Sequence, residues 1–158
     1  MKLSGRLYKQ IGNEGEIEIC DRISCPNCQS KLVLLPPSFP MADAQCSRCN
    51  FRAQVKTTSR SPRSSVRGAG WDIYEKVLKA GYLSPPLIVN FKWKHLKAER
   101  QEIRFYPFIP RKNIQKYKLS ANAQRANYKM FRYVGLNDLP YFTLFKLNSQ
   151  KERGKVEI

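Results

Sequence analysis

Two Cys-x-x-Cys pairs, "CPNC" and "CSRC", supply Cys25, Cys28, Cys46 and Cys49, with seventeen residues between the pairs. No other feature limits the fold so tightly. Each two-residue spacing lets two thiolates reach one tetrahedral ion, and two such knuckles close a four-sulfur shell. The intervening length lies in the zinc-ribbon range. The chain must therefore fold back on itself between the knuckles. A closed shell has no free coordination position, so the expected ion is a structural Zn2+; an iron–sulfur cluster is the less natural occupant. Cys20 is left over and reads as a small buried apolar residue. The one histidine, His95, falls in a polar turn and offers no basis for histidine acid–base chemistry.

Charge is the next constraint. The chain has 158 residues, with 29 Lys and Arg against 12 Asp and Glu, for a formal net charge of +17. Four of the acids lie within residues 14–21, and residues 103–137 contain none. That acid-free stretch holds Arg111, Lys112, Lys116, Lys118, Arg125, Lys129 and Arg132, interleaved with Tyr117, Tyr128, Phe131 and Tyr133. A field of this sign attracts polyanions, and phosphate neutralisation with counterion release supplies affinity. Interleaved aromatics favour nucleic acid over acidic lipid or a merely soluble basic protein. Hydrophobic residues make up 42% and charged residues 26%, which suits one globular domain over residues 1–158 with a single core. No apolar run approaches the roughly 18 residues that span a bilayer, and the N-terminus lacks the apolar stretch of an export signal. The expected compartment is reducing, where metal is favoured over disulfides.

Periodicity gives a coarse map. "EIEIC" alternates near the N-terminus and reads as a strand or a frayed arm. "PPSFP" between the knuckles excludes regular structure. "FRAQVKTT" (51–58) alternates as a strand, with Phe51, Ala53 and Val55 on one side and Arg52, Gln54 and Lys56 on the other. "SRSPRSSVRGAG" reads as a basic, mobile loop. "WDIYEKVLKAG" predicts a helix with Ile73, Tyr74, Val77 and Leu78 on one face, stopped by Gly81. "PPLIVNFKWK" predicts a central strand, "HLKAERQ" a polar hairpin connection, "EIRFYPFIP" a second strand made irregular by Pro107, and "YFTLFKL" a last strand. "SANAQRANYKMFR" reads equally as a helix with an exposed basic face or as a groove reader. The expected architecture is α/β: a small mixed sheet with helix packed on it and a metal-stabilised insert over residues 25–49.

A second constellation is threaded through the cysteines. Asp43 stands just before the second knuckle, and Gln54-Val55-Lys56 follow it. Phosphodiester hydrolysis needs charge stabilisation and an activated water, which Mg2+ held by oxygen ligands can supply. Asp43 offers a carboxylate, Gln54 an amide oxygen and Val55 its backbone carbonyl. Lys56, on the same strand face as Gln54, is placed to hold the attacking water. The spacing alone also fits an ordinary surface strand.

In its order of elements — "CPNC", "MADAQCSRC", "AQVK" — the chain resembles the DpnI-type restriction endonucleases of the PD-(D/E)xK nuclease superfamily, and the related Dam-replacing proteins. The stretches "PPLIVNFKWK", "FYPFIPRKNI" and "KLSANAQRANYKMFRYVGLNDLP" are also similar, so the likeness covers residues 20–145. It implies a restriction-endonuclease-like mixed β-sheet flanked by helices, with the zinc site beside a catalytic hairpin. It implies a Mg2+-dependent, sequence-specific endonuclease of type II kind, in a prokaryotic cytoplasm, acting on double-stranded DNA and leaving 5′-phosphate and 3′-hydroxyl ends. Asp43 and Gln54 take the ligand positions and Lys56 the catalytic lysine position. Arg60, Arg63, Arg67, Arg111, Lys112, Lys116, Arg125 and Lys129 are the expected DNA contacts. Two departures stand out. Gln54 replaces the usual Glu, which makes the site one charge more positive. The family's C-terminal winged-helix domain has no counterpart before "KVEI", so the expectation is a minimal catalytic domain working alone, as a homodimer or with a partner. The competing readings are a zinc-stabilised DNA-binding protein with a decayed nuclease site, and a zinc-ribbon RNA-binding protein.

Overall fold

In a computed structural model, which describes residues 5–37, 39–117 and 130–147, the N-terminal segment is neither a strand nor a frayed arm. It is helix α1, Gly5–Arg22. Tertiary packing decides this. Ile19 and, just past the helix end, Ile23 are buried, whereas Ile17 is 51% exposed, so the buried spacing is four and not two. The apparent alternation of "EIEI" was local coincidence. Gly15, one turn before Ile19, lets the helix cross the sheet closely, because a Cβ there would overlap the Thr57 side chain.

The zinc-knuckle region contributes two strands too short to be seen in the sequence, β1 (Leu32–Leu34) and β2 (Ala44–Cys46). They form an antiparallel meander with β3 (Arg52–Thr58), the strand expected over 51–58. Part of the segment read as a basic loop is strand β4, Val66–Ala69. It forms because Gly68 leaves room for the Phe131 ring, which a Cβ would strike. Helix α2, Trp71–Lys79, follows as expected and stops before Gly81, whose φ is +90°. It buries Tyr74 and Leu78 but leaves Ile73 52% exposed, so its apolar stripe is narrower than the sequence implied.

Strand β5 (Leu87–His95) runs parallel to β3, and β6 (Ala98–Tyr106) returns antiparallel. The hairpin between them has only Leu96 and Lys97 in its turn, both at positive φ, in place of the longer polar connection expected. Two central residues of that kind match the twist of paired strands. Strand β6 ends at Tyr106, before Pro107, whose ring cannot donate to a ladder. Then come β7 (Ile114–Tyr117), β8 (Met130–Tyr133) and β9 (Phe142–Leu147). The end of "SANAQRANYKMFR" is thus strand, not helix; its residues 120–129 lie outside the described residues.

The strands make one mixed sheet in the order β1-β2-β3-β5-β6-β9 and a three-stranded antiparallel sheet in the order β4-β8-β7. The result is a mixed α/β fold with two cores. On one face Ala53, Val55, Ile88 and Ile103 pack with Ile19 of α1 and Ile23 just past its end. On the other, Leu87, Val89 and Phe91 pack with Tyr74, Leu78, Phe131 and Tyr133. Helix α2 and the small sheet therefore cover the face opposite α1.

A polar network fastens α1 to the sheet. The Glu18 carboxylate accepts hydrogen bonds from Lys92 at 2.7 Å, from Asn90 at 3.4 Å and from Gln101. Asn90 and Gln101 are buried. Burial alone would raise the Glu18 carboxyl, but these donors outweigh it and hold it below the usual carboxylate range. A lowered acid contributes stability that is complete above the ordinary carboxylate range and is lost as pH falls through the lowered value. Glu18→Ala leaves buried amide donors unpaired and is expected to cost about 1–3 kcal/mol near neutral pH. Urea titrations of wild type and variant check it: the gap should narrow as acid protonates Glu18.

Candidate functional site

The four cysteines converge. Their Sγ atoms all lie within 4.8 Å of one another. Cys25 and Cys49 are 3.6 Å apart, and Cys28 and Cys46 are 3.4 Å apart. A tetrahedral shell at the usual Zn–S length has edges of about 3.8 Å, so this set fits zinc with small adjustments. The knuckle backbones turn their N–H groups onto sulfur: Asn27 to Cys25 at 3.4 Å, Arg48 to Cys46 at 3.3 Å and Cys49 to Cys46 at 3.4 Å. The Asn27 side-chain amide reaches Cys49 at 3.4 Å. Such bonds favour thiolates. Burial nevertheless pushes the Cys25 thiol up to about 12, while the Ser30 hydroxyl and N–H draw Cys28 down to about 6. A full set of thiolates therefore calls for a cation at its centre. Cys20 stands apart, half-buried, and burial raises its thiol to about 11.

The cysteine knuckles also set the place of Asp43. Strand β2 pairs with only two residues of β3, Ala44 opposite Ala53 and Gln45 opposite Arg52. Beyond that point β2 peels away, and the β3 edge from Gln54 onward loses its strand partner. Asp43 sits where they part. Its N–H donates to the Ala53 carbonyl at 2.9 Å, and its carbonyl accepts from Leu35 at 2.9 Å. Its carboxylate Oδ2 accepts the Val55 N–H at 2.8 Å, standing in for a missing ladder carbonyl.

Gln54 points to the opposite face from Val55 and is buried. Its Oε1 accepts the hydroxyl of Tyr133 from β8. Tyr133 in turn lies 3.4 Å from the Tyr74 hydroxyl, which bonds Ser84. Burial first, then Tyr74 and Asp43, push the Tyr133 hydroxyl well above its ordinary value, so it stays a donor. Lys56, two residues on and half-buried, makes no hydrogen bond or ion pair among the described residues.

One residue of this group escaped the sequence reading. Glu16 of α1 is brought to the β3 edge by the close crossing at Gly15 and Thr57. Its carboxyl is pushed up to about 7, by burial first and then by the negative charge of Asp43, with Lys56 pulling the other way. Asp43 and Lys56 therefore act on Glu16 through charge, while the Gln54 amide is turned to the opposite face from Val55 and held by Tyr133. Carboxylate oxygens are hard donors of the kind that divalent cations such as Mg2+ take, and the negative charge that Asp43 places on Glu16 is what such a cation would offset. The acid cluster at residues 14–21 was the available signal for Glu16. Reading that stretch as a strand or arm hid which of its acids faces the site.

The predicted DNA contacts are scattered around the small sheet. Arg60 and Arg63 lie on the loop before β4, Arg67 on β4, Arg111 and Lys112 on a 3-10 turn before β7, and Lys116 on β7. All are exposed except the half-buried Arg63. No hydrogen bond or ion pair joins these six to Asp43, Gln54 or Lys56. Arg125 and Lys129 lie outside the described residues. No described helix is long and apolar enough to cross a membrane. No protein-family model matches the chain, and no curated protein matches it in sequence.

Proposed function

We propose that this chain is a Mg2+-dependent DNA endonuclease whose active site is the free edge of β3. The observation that carries the reading is the Asp43 carboxylate held on the Val55 N–H where β2 leaves β3, with Glu16 under the charge influence of both Asp43 and Lys56. Asp43, Gln54 and the Val55 carbonyl would hold the metal, with Glu16 as an added acidic ligand or water holder. Bound there, Mg2+ would supply Lewis-acid polarisation of the scissile phosphate and lower the pKa of a water. The residues do the rest. Lys56 orients the attacking water and offsets charge on the phosphate. Tyr133 fixes the Gln54 amide through a donated hydrogen bond. Water adds to phosphorus, the bond to the 3′ oxygen breaks, and that oxygen takes the proton. The four-cysteine zinc site keeps β2, and so Asp43, in register. The restriction-endonuclease likeness and a role on double-stranded DNA belong to this proposal, as does homodimer action.

The test is supercoiled plasmid incubated with Mg2+ or Mn2+, using DNA with and without adenine methylation. Nicking that depends on the metal is the expected result. Purified zinc-loaded protein that nicks neither plasmid with either metal would remove the enzyme reading. One observation favours a second reading, DNA binding without cleavage: Gln54 is buried and its oxygen is already engaged by Tyr133. Gln54→Glu separates the two. A carboxylate binds Mg2+ more tightly, so a nuclease site should cut at least about tenfold faster at limiting Mg2+. No cutting by either form favours binding alone. Competition between RNA and duplex DNA at matched salt separates the RNA-binding alternative.

A further inference from the structure

The outer face of the β4-β8-β7 sheet carries a row of side chains that the fold does not itself satisfy. Arg67 of β4 lies directly opposite Arg132 of β8, and Arg132 lies directly opposite Gln115 of β7. All three are exposed. Their neighbours along the strands, Val66, Phe131, Tyr133 and Ile114, are buried in the core beneath. The row therefore faces away from the protein, with about 4.8 Å between successive strands. Like charges directly opposite each other on paired strands are destabilising. Neither guanidinium has an ion-pair partner among the described residues. A chain holding acids elsewhere has put none of the described ones against this pair.

Tyr117 adds a second feature. Its ring lies under Arg132, 5.1 Å from the guanidinium carbon. A stacked guanidinium keeps its N–H edge free and loses less freedom when it binds. We infer that the outer face of the small sheet, centred on Arg67, Arg132, Gln115 and Tyr117, docks the phosphate backbone of duplex DNA. Two opposed guanidiniums, one of them over a ring, match phosphate oxygens, which take paired N–H donors. Gln115 extends the row with a neutral donor. Because Arg132 and Tyr133 are neighbours on one strand, DNA on the outer face would engage the strand that also holds Gln54. Lys116, on the inner-facing side of β7 and in the field of Glu75, is not part of the row. This inference rests on the nucleic-acid half of the proposed function and not on cleavage.

The experiment is fluorescence anisotropy with a short labelled DNA duplex, without added Mg2+, across roughly 50 to 200 mM salt. Arg67→Gln with Arg132→Gln should weaken binding at least about tenfold at the higher salt. It should also lower the magnitude of the salt slope by about 1.8, two lost phosphate contacts at roughly 0.9 each. The matched control, Lys94→Gln with Lys97→Gln on the β5–β6 hairpin, removes equal charge and should leave the slope near wild type. Replacing both opposed like charges should not lower the melting temperature, so folding is checked in the same samples. Tyr117→Leu, which keeps both arginines, should weaken binding by about threefold. An unchanged slope in the Arg67/Arg132 variant, an equal loss in the lysine control, or tighter binding of RNA than of duplex DNA at matched salt would each overturn the docking face. A falling slope with no plasmid nicking keeps this face and removes the nuclease. Nicking with an unchanged slope does the reverse.

Discussion

Cys46→Ser is expected to release the zinc and to separate β2 from β3, taking the candidate active site with it. Cys46 is 1% exposed, and its sulfur accepts two backbone N–H groups while lying 3.4 Å from Cys28. Strands β1 and β2 have three residues each, too few to hold a sheet edge unaided. A zinc ion held by the four cysteines would supply what they lack, since structural sites of this type contribute an apparent 10–16 kcal/mol, roughly, to small metal-bound folds. Serine binds zinc poorly and leaves three sulfurs around the ion. With β2 free, the Asp43 carboxylate no longer meets the Val55 N–H. The two cores reach well beyond the knuckles, so β5 and β6 should persist. Metal analysis should fall from one zinc per chain to near none. Hydrogen exchange should lose protection at Asp43, Cys46 and Val55 while Ile88 and Ile103 stay protected. Retained zinc, or unchanged protection at Asp43 and Val55, would show that the knuckles do not hold the site together.

How much of this was legible beforehand depended on the range of the forces involved. The cysteine spacing is a local geometric requirement, and the four sulfurs meet as it demands. The alternation of Ala53 and Val55 against Gln54 is likewise local, and it survives in β3 because α1 covers one face and Tyr133 the other. Helix α1 was not legible, because "EIEI" carries strand periodicity and only the packing of Ile19 and Ile23 reveals the helical one. Strands β4, β7 and β8 were hidden for a related reason. Their pairing depends on Gly68 fitting beneath Phe131, a contact between residues far apart in the chain. Tyr133 reaches Gln54 across 79 positions, so no window of sequence contains both halves of that bond. Glu16 belongs to the same class. Its carboxyl is significant only because a helix crosses the sheet beside Asp43.

Under the proposed nuclease reading, Lys56→Ala should reduce cleavage by about 10²–10⁴-fold while leaving fold and DNA affinity nearly intact. The geometry separates these effects. Lys56 is half-buried and makes no hydrogen bond or ion pair among the described residues, so its loss breaks neither kind of bond. It is also the one amine in a group otherwise made of oxygen donors. Losing it removes the positive charge that opposes Asp43 in setting the Glu16 carboxyl. The proposed site would then face a phosphate with two acids and no amine, and the water would lose its lysine contact. A thousandfold loss corresponds to about 4 kcal/mol of transition-state stabilisation. Binding should change less than about threefold, because a single phosphate contact is a small share of an electrostatic interface. The loss should fall on kcat rather than KM, as for an interaction made mainly in the transition state. Lys56→Arg should not restore cutting, since a guanidinium is larger, planar and more weakly hydrated than an ammonium. Single-turnover cleavage of one labelled duplex, run beside anisotropy on the same preparation, measures both quantities. Normal cutting by Lys56→Ala would show that the chemistry lies elsewhere than the β3 edge.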